Sequence, residues 1–311
     1  MKLKRIYAKY LPLLMLLGVG TLTACNDDDD IDPVKENESI VDIVVRDQNF
    51  STLEAALTKA GLVDALSADG PFTVFAPTNA AFQAAGITNL DDYTPEELRE
   101  VLLYHVVNGK ANSSSLQDGQ EVATLNDSDI YVSLNDGVFI NGNTEVTTAD
   151  VEATNGVIHV IDRALVSPSQ DIVEIAVAAG FTRLAEAVTE AGLVEALQGD
   201  GPFTVFAPTN AAFDALYQRL GVNGPAEIDD DTLVAVLTYH VLGARVFSSD
   251  LSDGATPTTM QTGTVEINLG NDVTITDKDP VSADAKVTST DILATNGVIH
   301  VIDQILLPVA L

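Results

Sequence analysis

Fourteen consecutive residues occur twice in this chain. Asp69 to Phe82 reads DGPFTVFAPTNAAF, and Asp200 to Phe213 repeats it at every position. A second pair follows in the same order: Ala153 to Asp162 and Ala294 to Asp303 both read ATNGVIHVID. Two anchors recurring in one order mean two copies of one fold. Their spacing of about 130–140 residues suits a whole domain rather than a solenoid repeat. A chain of 311 residues then divides into two domains and a leader, each domain long enough to bury its own core.

The leader is read from its charge and hydropathy. Lys2, Lys4, Arg5 and Lys9 are followed by the apolar run Leu11 to Leu17 and by small residues up to Ala24. That layout predicts a secretory signal over residues 1–24, because the apolar part is too short to span a membrane. Leu22-Thr23-Ala24-Cys25 resembles a bacterial lipobox, which implies acylation of Cys25, the one cysteine in the sequence. Asp27 to Asp30 form an acidic run inside a polar segment, and residues 25–38 are predicted to be a disordered tether. Acidic residues at that place are similar to the surface-export signals of Bacteroidetes-type lipoproteins, which implies an outer-membrane address on the cell envelope. A single cysteine leaves no disulfide within the chain, so packing alone must hold the domains.

The formal net charge is −31, and removing the basic leader makes the remainder more acidic still. Phosphate backbones and anionic headgroups need basic surface, so nucleic acid is excluded as a partner. The membrane is expected to be reached through the lipid on Cys25 alone.

Local pattern predicts the elements of each copy. Ser39 and Asp171 are placed to cap helices beginning at Ile40 and Ile172. Phe50 to Ala60 and Phe181 to Ala191 carry apolar residues at helical spacing and end at Gly61 and Gly192. Phe72 to Ala76 alternate as a strand, Pro77 stops it, and Thr78 caps a short helix over Asn79 to Ala84. Thr94-Pro95-Glu96-Glu97 opens a further helix with threonine at the cap, proline at the first position and glutamate at the third. On that helix Leu98, Val101, Leu102 and His105 share a face, as do Leu233, Val236, Leu237 and His240 in the second copy. β structure follows, with a hairpin turn at Asn135-Asp136-Gly137. The final strand, Val157 to Ile161, is apolar on both sides, as a strand buried between layers should be. Ser167 to Gln170 form a short linker.

TVFAPTNAAF, then Tyr104-His105-Val106, then NGVIHVID, all intact in both copies, resemble the fasciclin domain. The resemblance covers residues 36–166 and 168–309. It implies an α+β fold in which each domain is a β-sandwich-like wedge with several helices packed on it. It also implies adhesion or protein–matrix interaction without catalysis, with Tyr104, His105, Tyr239 and His240 as the pairs that the family associates with partner binding. Their helical face nevertheless turns both histidines inward, and the chain has no Arg-Gly-Asp tripeptide.

The sequence holds no Gly-x-Ser-x-Gly elbow, no His-Glu-x-x-His, no phosphate loop and no EF-hand loop. His105, His159, His240 and His300 form matched pairs flanked by Tyr, Val or Ile, which predicts buried neutral imidazoles rather than metal ligands or general bases. Asp162 and Asp303 are expected to satisfy backbone donors at strand ends. Asp127/Asp129 and Asp277/Asp279 are read as solvated loop acids, with calcium as the other reading. No cofactor and no metal are expected. The other function weighed is glycan capture for nutrient uptake, which the lack of tryptophan weakens. The partner surface is sought where the copies differ, in Lys110 to Asn126 and Tyr217 to Asp229.

Overall fold

The computed structural model describes residues 37–135 and 137–309. The signal, Cys25 and nearly all of the tether lie outside the described residues, as does Asp136 of the expected hairpin turn.

In the first domain the elements run α1 (Ile40–Arg46), α2 (Ser51–Lys59), α3 (Val63–Leu66), β1 (Phe72–Pro77), α4 (Asn79–Ala84), α5 (Pro95–Leu103), β2 (Val106–Asn108), β3 (Gln120–Ala123), β4 (Asp129–Ser133), β5 (Phe139–Ile140), β6 (Thr144–Ala153) and β7 (Gly156–Ile161). The second domain repeats them as α6 (Ile172–Ala178), α7 (Thr182–Glu190), α8 (Val194–Leu197), β8 (Phe203–Pro208), α9 (Asn210–Leu220), α10 (Asp230–Tyr239), β9 (Val241–Leu242), β10 (Glu266–Leu269), β11 (Val273–Thr276), β12 (Ala285–Ala294) and β13 (Gly297–Ile302). The caps are those the sequence predicts. Ser39, Thr94 and Asp171 each complete a reciprocal capping box with the acid three residues on, and Thr78 and Thr209 each accept the amide three residues on.

One hydrogen-bonded sheet runs through each domain, in the order β2-β1-β7-β6-β5-β4-β3 and, in the second, β9-β8-β13-β12-β11-β10. The counterpart of β3 is reduced to one bridge, Thr258 to Thr264. The two layers of the wedge are the two ends of this sheet. The long strand β6 shifts register between Val146 and Thr148 and again before Val151, and β12 does so at the matching places. Such bulges bend a strand, and they bring Phe75 and Ile161 into one core with Ile130, Val132 and Ile140.

Strand β8 feeds two cores by alternation. Val205 and Ala207 pack with the helices, while Phe206 packs with Tyr239, Ile267 and Ile275. Phe75 and Phe206 are both 2% exposed, and burying such a ring stabilises by roughly 2–3 kcal/mol.

The two repeated motifs meet in space. β1 pairs parallel to β7, Phe72 against Gly156 through Pro77 against Ile161, and β8 pairs with β13 in the same register. The first and last motifs of each copy are therefore neighbouring central strands. At Gly156 a Cβ would stand 2.0 Å from the carbonyl oxygen of Phe72, so no side chain fits where these strands enter.

Candidate functional site

Side chains of the repeated motifs hold distant backbone in place. Asn155 accepts the Ile40 amide at 3.0 Å and donates to the Leu66 and Ala68 carbonyls at 2.8 Å. Asn296 does the same for Ile172, Leu197 and Gly199. Both thus tie the N-terminus of the first helix and the end of the third to the last strand. The Asn79 side chain accepts the Thr52 amide and donates to the Gln48 carbonyl, and Asn210 bonds the Arg183 amide and Gly180 carbonyl. Thr73 and Thr204 each bridge a carbonyl and an amide two residues apart in the segment after β2 or β9.

The histidines are likewise satisfied inside the fold. Val101 and Val236 carbonyls each lie 2.7 Å from Nδ1 of His105 and His240. Nε2 of the same rings accepts the amides of Leu165 and Leu306 at 2.8 and 2.9 Å. This arrangement places the proton on Nδ1, and burial drives both imidazoles down to a pKa of about 4. They are neutral at pH 7. His159 and His300 pack beside Phe75 and Phe206, and Nδ1 of each accepts the amide of Asp150 or Asp291 at 3.3 Å. Those aspartates sit at the bulges in the left-handed region, φ 59° and 58°, and their carboxylates receive the amide and hydroxyl of Ser113 and Ser248. Burial raises the Asp150 carboxyl, but the Ser113 hydrogen bonds outweigh it and hold the group below the usual carboxylate range.

Tyr104 and Tyr239 are fully buried, each at 0% exposure. Tyr104 donates to the Asp129 carbonyl and accepts from Asn141, and burial raises its phenol well above the ordinary value. Tyr239 donates to the Thr264 carbonyl at 2.7 Å and is pushed up to about 12. The structure therefore brings each Tyr-His pair together at the joint between helix and sheet, with neither ring at the surface.

Asp162 and Asp303 accept the Glu145 and Lys286 amides at 2.8 Å, as expected of strand-end acids. The reading of Asp277 and Asp279 as solvated loop acids is corrected. The Asp279 carboxylate is buried and meets Arg219 at 2.5 Å, which pulls its pKa down. Asp277 receives the Leu307 and Asp279 amides. Spacing alone hid both partners, because Arg219 lies 60 residues away. Among the described residues no group of three or more His, Cys, Asp or Glu is placed to hold a metal ion. No helix of the described residues is long and apolar enough to cross a membrane. Within the stretch expected to be a partner surface, Tyr217 proves to be core, 4% exposed beside Phe213.

A joint between the domains was not legible from the motifs. The Arg245 guanidinium lies 4.1 Å from the centroid of the Tyr131 ring, and Phe247 lies against the same ring at 5.8 Å. Gly142, at φ 81°, has Phe247 and Asp291 so close that a Cβ would stand 2.6 Å from the phenylalanine. Asn135 adds a hydrogen bond to the Ser249 carbonyl. Aromatic rings and arginine are what interfaces enrich.

A family model described as "Fasciclin domain" matches residues 48–167 and 179–308. The chain belongs to the fasciclin domain family. Its first helix precedes the matched region yet is bound to it through Asn155. Periostin from Homo sapiens is 34% identical over 262 residues, covering 79% of this chain and 29% of that protein. Transforming growth factor-beta-induced protein ig-h3 from Sus scrofa is 30% identical over 251 residues, 77% of this chain and 35% of its own length. Protein sll1483 from Synechocystis sp. is 43% identical over 134 residues, 42% of this chain and 74% of that one. The chain thus spans about a third of the two animal relatives. Among solved structures, a FAS1 domain pair from the insect cell adhesion molecule fasciclin I matches with a TM-score of 0.40 and 20% identity, covering 86% of this chain and 95% of that chain.

Proposed function

We propose that this fasciclin pair is a lipid-anchored cell-envelope protein that mediates adhesion or protein–matrix interaction, without catalysis. The observation that carries the reading is the fate of the repeated residues. Both copies of each histidine and of the motif asparagines are consumed in holding the fold, so recognition falls to the surface and its loops. Cys25 attaches the chain to the outer membrane through its lipid, and the acidic run after it favours the outer face. A net charge of −31 keeps the domains off anionic headgroups and suits a partner with cationic surface.

The test compares cells displaying the chain with cells carrying Cys25→Ala and with cells lacking it. Adhesion to immobilised matrix proteins should fall in both controls, and Cys25→Ala should move the protein out of the membrane fraction. Equal adhesion by all three overturns the function, and unchanged fractionation overturns the anchor.

A further inference from the structure

The second domain holds a cavity of about 220 Å³ between α6, α7, α8, α10 and the sheet, with apolar walls that are mostly aliphatic and include Phe203 and Phe206. Val177 and Met260, 61% and 51% exposed, stand at its opening. The polar atoms in its wall are already committed. Thr189 and Thr238 hydroxyls donate to the Ala185 and Val234 carbonyls, and both ring nitrogens of His240 are engaged. Among these side chains a molecule inside would find no free hydrogen-bond donor and no charged group.

In the first domain the matching place is lined by larger and more deeply buried side chains. Where it has Val44, Leu57 and Leu103, the second domain has Ala176, Val188 and Thr238, each at the same position of a matched helix. The connection from α6 to α7 is also one residue shorter than that from α1 to α2. Around these positions Ile43, Phe50, Leu62 and Leu66 are at most 3% exposed, whereas Ile175, Phe181, Leu193 and Leu197 are only half-buried. Smaller side chains at three points of one wall remove methyl groups without refilling the space, and such space in a core destabilises unless something occupies it.

We propose that this cavity is a binding site for one uncharged aliphatic molecule, of the class of medium-chain alcohols and esters. Its volume exceeds the about 150 Å³ that admits benzene and falls short of the roughly 300–1,000 Å³ of drug-sized sites. Glu186 is paired with Arg183, but exposed Glu190 and Glu195 lie on α7 and α8, and with the acidic chain they repel a carboxylate head. That selects neutral molecules over fatty-acid anions.

The test uses the full chain with Cys25→Ala, so that no lipid of its own competes, and the neutral dye N-phenyl-1-naphthylamine. Dye fluorescence should rise on binding, and 1-decanol should displace it at concentrations at least about tenfold below decanoate, a difference of about 1.4 kcal/mol. The triple variant Ala176→Val, Val188→Leu, Thr238→Leu rebuilds the wall of the first domain. It should melt at the same or a higher temperature and bind dye at least about tenfold more weakly. If that variant does not fold, Val177→Glu at the opening should weaken dye binding alike while leaving the fold intact. No dye uptake by the folded parent, or undiminished uptake by folded variants, overturns the site. Equal displacement by decanoate overturns the selection for neutral molecules.

Discussion

Lys110 and Arg245 occupy the same place in the two domains and do different things. Lys110 pairs with Glu152 of its own domain, both side chains about half exposed. In the second domain Leu293 stands at the place of Glu152, so Arg245 has no acid there and lies over Tyr131 of the first domain. Two residues further on, Asn112 of the first domain is matched by Phe247, which packs on Tyr131 and Gly142. The same loop is a solvated face in one copy and a joint in the other. Substitution of an acid by a leucine and an amide by a phenylalanine makes the difference, while the repeated core beneath is untouched. Fold and interaction surface are encoded by separate residues.

Substitutions made in matched pairs can break that comparison. Phe75→Ala and Phe206→Ala should each cost about 3–5 kcal/mol by urea unfolding; unequal costs would show that the two cores are not equivalent. The Tyr-His joints should make the chain acid-sensitive. The folded pKa of His105 and His240, about 4, lies below the roughly 6.5 of an unfolded chain, so the unfolded state takes up the proton first. Their contribution is complete above pH 6.5 and is lost as pH falls towards 4, by about 3 kcal/mol per histidine. A double variant His105→Gln, His240→Gln should lose that part of the pH slope, and an unchanged slope would place the rings in contact with water.

Smaller effects follow. Asn155→Ala or Asn296→Ala should cost about 2–3 kcal/mol, because a buried amide and two carbonyls lose their partner. Asparagine to aspartate at the same positions should not restore it, since the carboxylate cannot donate. Arg245→Ala should cost about 1 kcal/mol at the joint, whereas Lys110→Ala should stay within about 0.5 kcal/mol, both read by thermal melting. Equal values for the last pair would sink the assignment of Arg245 to the interface.

Much of the fold was legible because the signals are local. Thr94, Pro95 and Glu97 form a helix start from side chains within three residues of the backbone they serve, and the start is where they predict it. The strand Val157 to Ile161 announced its double burial through apolar residues on both faces. The inward histidines followed from the spacing of Leu98, Val101, Leu102 and His105. What was not legible depends on long-range meetings. Strand β3 has too short a pattern to stand out, and Asp279 reads as solvated because its partner Arg219 lies on a distant helix. Tyr217 reads as surface because it lies where the copies differ, but α9 is five residues longer than α4 (Asn210–Leu220 against Asn79–Ala84) and carries the ring against Phe213.

The sequence by itself determined that there are two copies, which family they belong to and where most helices and strands begin, because repeats, caps and periodicity act over a few residues. Only the tertiary structure decided that the two motifs of each copy lie side by side, that Arg245 crosses to the other domain, and that a cavity opens behind the smaller side chains of the second copy. Those outcomes turn on a few methyl groups and one missing carboxylate. Their effect exists only where distant parts of the chain come within contact distance.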